Sequence, residues 1–130
     1  MSEQNRSETK VIKSIGNWYN TSRESRMVSH FEIVKDDDGL WMEAHGAEGG
    51  VHPGPWDRAW VEVFSRKLDA PEDDGLFTEI DLGEMRVSFS IYYNHGILVV
   101  AGHTIFQDDS GRPGWFTREF YYKSPNTPWK

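Results

Sequence analysis

Residues 14–22 read SIGNWYNTS, and the reading of this stretch decides the fold. In an extended chain successive side chains point to opposite faces, so Gly16, Trp18 and Asn20 share one face. Gly16 leaves space on that face for a large neighbour. The stretch therefore reads as an opening β-strand that sends an indole toward a core.

Working outward, the same grammar recurs. RMVSHFEIV (26–34) alternates Met27, Ser29, Phe31 and Ile33 against Val28, His30, Glu32 and Val34. Asp38-Gly39 then offers the positive φ of a hairpin turn. LWMEAHG (40–46) follows, and AEGGVHPGPWD (47–57) is a Gly/Pro loop with no regular structure expected. RAWVEVFSRKL (58–68), LFTEIDL (76–82), MRVSFSIYY (85–93), ILVVAGHTIF (97–106) and WFTREFYYK (115–123) read as further strands. In MRVSFSIYY one face carries Met85, Val87, Phe89, Ile91 and Tyr93. The NHG turn places His95 where a left-handed conformation is tolerated. A single helical turn is expected near SRESR (22–26).

About eight strands joined by tight turns predict an all-β fold, an eight-stranded antiparallel up-and-down barrel. The alternative is a two-sheet β-sandwich. Residues 1–12 read as a disordered polar arm, 13–124 as one domain, and 125–130 as a tail whose prolines cannot extend the sheet.

Composition narrows the function classes. The chain has 130 residues, a net charge of −7 and scattered basic residues. Phosphate recognition needs clustered Lys and Arg, so no nucleic-acid partner is expected, and no anionic membrane surface. With no cysteine there is neither a disulfide nor a thiol nucleophile. The polar start MSEQNRSETK has no signal-peptide character and no apolar run reaches spanning length, which predicts a cytoplasmic protein. Six Trp, seven Phe and five Tyr carry the burial.

The GNWYN strand and the closing pattern VAGHTIFQDDSGRPGWFTREFYYK resemble the calycins, the superfamily of lipocalins and avidins. The chain also resembles small bacterial β-proteins with a Gly-x-Trp start and a loop like Gly54-Pro55-Trp56-Asp57. The calycin resemblance implies a barrel with a ligand at one end and an Arg of a late strand packed over the first-strand Trp; Arg118 is the match. In avidins the first-strand Asn and a following Ser bind the ureido oxygen of biotin. Asn20 matches that Asn. Glu24 stands at the ungapped Ser position, with Ser25 one residue later. Where the family has late ligand-stacking Trp residues this chain has Ser88 and Phe120, and the closing strand with its ligand-binding Asp has no counterpart. The resemblance therefore implies the fold and not biotin binding.

Candidate chemistry is sparse. His45, Glu48 and His52 in HGAEGGVH fit no metal spacing, so no metal and no cofactor is expected. His103, mid-strand among apolar neighbours, reads as buried and is the candidate catalytic residue, paired with one of Glu43, Glu62, Glu79, Asp81 or Glu119. The polar face Arg86, Ser88, Ser90, Tyr92 and Asn94 reads either as lumen lining or as wet exterior. The leading expectation is a non-enzymatic binder of a small, partly apolar ligand in the lumen, lined by Asn20, Ser25, Arg118, Phe120 and Tyr122. The alternatives are a small barrel enzyme, a cyclase or isomerase using a His–carboxylate pair, and an assembly module with a solid barrel. Self-association is left open.

Overall fold

In the computed structural model, residues 11–65, 68–69 and 74–124 are described. Nine strands follow in order: β1 (Gly16–Asn20), β2 (Val28–Asp36), β3 (Gly39–Gly46), β4 (Gly54–Pro55), β5 (Ala59–Phe64), β6 (Gly75–Asp81), β7 (Met85–Asn94), β8 (Ile97–Phe106) and β9 (Trp115–Lys123). Every pairing is antiparallel between neighbours in the meander, and β1 joins both β2 and β9. With β2 also paired to β3, eight strands close into an up-and-down barrel, and the sandwich alternative falls. The two-residue β4 is an addition, laid on the end of β3 by the Gly/Pro loop in which no regular structure was expected.

The elements obey their local chemistry. At the β2–β3 turn Asp36 Oδ1 accepts from the backbone N–H of Asp38 and Gly39, and Gly39 sits at φ 146°. At the β7–β8 turn His95 and Gly96 both have positive φ, which matches the right-handed strand twist. His95 is the one non-glycine among the described residues in that region, as its place in NHG implies. Helix forms at residues 11–14 rather than in SRESR, which holds only a turn. Of the arm expected over 1–12, residues 1–10 lie outside the described residues while Val11 and Ile12 belong to the helix at 11–14; the expected tail, 125–130, also lies outside them. Among the described residues no helix is long and apolar enough to cross a membrane.

Alternation sends one face of each strand inward. Trp18, Phe31, Ile33, Met42, Met85, Phe89, Ile91, Leu98 and Tyr121 are each at most 2% exposed, and together they occupy the lumen. An eight-stranded barrel is just wide enough for such a filling. In β2 a bulge lies between Val28 and His30. It turns Met27 and Val28 both inward, where strict alternation would have placed them on opposite faces. The Arg86–Ser88–Ser90–Tyr92 face is the exterior, because the β7 residues between them fill the core.

One end of the barrel is sealed around Trp18. The indole Nε1 donates to the Ser14 carbonyl at 2.8 Å, and Val11 and Ile15 pack on the core beside it. Lys123, not Arg118, is the cation over this ring, 5.8 Å from its centroid. The register pairs Trp18 with Lys123, whereas Arg118 is on the outer face, near Phe120 and Tyr92. The neighbour for which Gly16 leaves space is the same Lys123: a Cβ on Gly16 would stand 2.7 Å from Lys123 Cε.

Trp18→Ala empties this site and removes the indole donor to the Ser14 carbonyl. It should lower stability by roughly 3–5 kcal/mol in chemical denaturation.

Candidate functional site

The five residues expected to line a lumen site are not brought together. Asn20 lies opposite Tyr121 in the β1–β9 register, so it shares a face with Tyr121 and Glu119. Arg118, Phe120 and Tyr122 point to the other side of the wall, where Phe120 and Tyr122 are 40% and 36% exposed. The physical reason is the period of two, by which a register differing by one residue exchanges the two faces.

Asn20 is itself fully committed. Its amide donates to the Val28 carbonyl at 3.0 Å and to Tyr121 Oη at 3.2 Å, and its Oδ1 accepts from the Ser22 N–H at 2.8 Å. Tyr121 Oη donates to the same Val28 carbonyl at 2.7 Å. Burial first, and then the Glu119 carboxylate, pushes the Tyr121 phenol well above its ordinary value, so it remains a protonated donor. Ser25 is at the barrel mouth, where its hydroxyl donates to Glu119 Oε1 at 3.0 Å and accepts from the Met27 N–H.

His103 is exposed, not buried: it stands on the outer wall opposite Phe116, away from every inward carboxylate. Its apolar sequence neighbours misled because β8 is apolar on both faces, its outer Val99 being only 4% exposed. Glu43, Glu62, Glu79 and Asp81 face solvent. The close His–carboxylate contact is elsewhere, between His52 Nδ1 and Glu84 Oε2 at 2.7 Å. The His52 hydrogen bond holds the Glu84 carboxyl below its usual range. Among the described residues no group of three or more His, Asp or Glu is arranged to hold a metal ion.

His52 belongs to the loop that closes the mouth. Backbone N–H groups tie this loop down: Ala47 to Met27 O, Gly50 to Ala47 O, Val51 to Arg26 O and Trp56 to Ala44 O, all at 2.9–3.0 Å. Trp56 enters the mouth and stacks on Phe89 with ring centroids 6.2 Å apart, its Nε1 donating to the His52 carbonyl. Sequence reading saw a polar loop here. The signal that could have corrected it was the Trp itself, a large apolar group that a loop must bury somewhere.

Two concave surfaces flank this plug. On the outer wall a groove of about 500 Å³ runs past His30, Glu32, Glu43, His45, Asp57 and Arg58. His30 and His45 stack at 4.8 Å, and burial, then the neighbouring His45, lowers the His30 pKa. Arg58 is engaged with Asp36 and lies over the Trp41 ring. At the mouth a second cleft, of about 370 Å³, is walled by Val51, Phe106, Pro113 and Trp115 and edged by Arg26 and Arg112. Behind that cleft Thr104, the register partner of Trp115, is wholly buried, and its Oγ1 has no hydrogen-bond partner.

Comparison with protein-family models, curated proteins and solved structures finds no match for this chain.

Thr104→Val exchanges an orphaned hydroxyl for a methyl of the same shape. It should raise stability by about 1 kcal/mol, read as a higher denaturation midpoint at unchanged m.

Proposed function

We propose that the protein binds a small, partly apolar ligand at the mouth of its barrel, without catalysing its conversion. The observation that carries this reading is the 370 Å³ cleft of Val51, Phe106, Pro113 and Trp115 beside a lumen already occupied by side chains. A ligand site combines concavity, an apolar or aromatic lining and a few polar groups at its edge. The mouth cleft has all three. The larger outer-wall groove suits an apolar molecule less well, since Glu32 and Glu43 stand directly opposite each other across two strands. The lumen reading suggested by the sequence gives way to a rim reading because Trp56 and Phe89 take the space a ligand would need.

The test is titration with N-phenyl-1-naphthylamine, a neutral dye that fluoresces in apolar surroundings. Saturable binding of one dye per chain is expected, weakened about tenfold or more by Val51→Glu, which replaces an apolar wall of the cleft with a longer, charged side chain. Phe116→Ser, on the outer wall, should leave the titration unchanged. Binding that survives Val51→Glu but is lost with Phe116→Ser would overturn the cleft reading.

A second reading has its own observation. The outer wall of β8 and β9 exposes Ile105, Phe116, Phe120 and Tyr122, at 45%, 65%, 40% and 36%. Its strand positions 97, 99, 101, 103, 105, 116, 118, 120 and 122 include no carboxylate in a chain of net charge −7. Two copies meeting here would escape the mutual repulsion they meet elsewhere, which suits an assembly module. Sedimentation velocity should then show a dimer that Phe116→Glu dissociates; a monomer at every concentration would remove this reading.

A further inference from the structure

The mouth cleft has a charge that its protein does not. Basic residues are outnumbered by acidic ones, 14 to 21, yet both charged residues edging this apolar surface are arginines. The two guanidiniums are not equivalent. Arg112 is neutralised in place: its Nη2 meets Asp108 Oδ2 at 2.9 Å, and its Nε donates to Ser110 Oγ at 3.0 Å. It lies over the Phe106 ring, 3.9 Å from the centroid. Hydrogen bonds from Ser110, then the Arg112 contact, hold the Asp108 carboxyl below its usual range, so this pair stays charged and closed. Arg112 thus serves as a flat extension of the aromatic wall.

Arg26 has no such partner. Its backbone carbonyl is fixed by the Val51 N–H, which sets it at the cleft's edge, and no ion pair forms between its guanidinium and any described residue. A guanidinium carries five N–H donors and no acceptor, and its planar fork matches a carboxylate in shape and charge.

We infer that the cleft selects small organic anions, flat apolar bodies bearing a single carboxylate, with Arg26 as the group that receives the charge. This rests on the mouth-cleft reading above and adds the ligand class to it. The apolar body would lie between Trp115, Phe106 and Val51, and the carboxylate would reach outward to Arg26. A cationic ligand would meet Arg26 with like charge. A neutral ligand would gain the walls alone.

A matched series separates the inference from its premise. 2-Naphthoate, 2-naphthamide and 2-naphthylmethylamine share one ring system and differ in charge; each is used to displace N-phenyl-1-naphthylamine. The naphthoate should bind about tenfold tighter than the amide, with the amine weakest. Arg26→Gln should close the gap between naphthoate and amide while leaving amide affinity as it was. Equal affinity of naphthoate and amide in the parent protein, or a gap that survives Arg26→Gln, overturns the anion inference with the cleft intact. Failure of all three to displace the dye overturns both.

Discussion

The barrel depends on its shortest full strand. β1 has five residues, yet it must pair with β2 on one side and β9 on the other for the sheet to close. Its pairing with β9 spans only three residue pairs, so backbone hydrogen bonds alone make a weak seam. The seam is reinforced from inside. Asn20 and Tyr121 both donate to the Val28 carbonyl, which ties β1, β9 and the start of β2 through one acceptor. Buried amides and phenols hold a structure in this way only when every group is satisfied, and here they are. Two residues before Asn20 on the same strand, Trp18 plugs the end that the seam would otherwise leave open.

This way of closing the barrel limits what the barrel can do. Polar groups that might have greeted a ligand are spent on each other, and large apolar side chains take the remaining volume. The lumen is filled, so the surfaces left for a ligand are the rim where loops meet and the outer wall of the strands. The outer wall is not uniform. Around β1, β2 and β3 it stacks Tyr19, His30 and His45 in a row of rings, with opposed carboxylates beside them. Around β8 and β9 it is apolar apart from His103 and Arg118 and carries no carboxylate.

Much of this was legible in the chain. MRVSFSIYY alternates without exception, so its two faces could be told apart, while which of them turns inward was left open until the closed sheet placed Met85, Val87, Phe89 and Ile91 in the core. Turns written with Asp-Gly and His-Gly declare themselves because few residues accept positive φ. Strand faces were illegible where apolar residues occupy both sides. In Phe120-Tyr121-Tyr122 nothing local says which ring enters the core; only the register across the seam does, and it chose Tyr121. His103 failed for the same reason, since Val99 and Val100 are both buried although they face opposite ways. The mouth cleft could not be read at all. Arg26 and Trp115 are far apart in sequence, and only the closing of the meander makes them neighbours.

The loop from Ala47 to Trp56 is long and glycine-rich, a composition usually associated with adaptable lids. Its amides are nevertheless bonded to the segment leading into β2, to β3 and to each other, and its histidine is fastened to the β6–β7 turn. The conformational entropy of ordering it is therefore surrendered when the chain folds, not when a guest arrives. Such a rim does not mould itself to what it meets. For the ligand proposed above, this would mean narrow recognition, a molecule of the wrong outline finding no compliant wall to accommodate it.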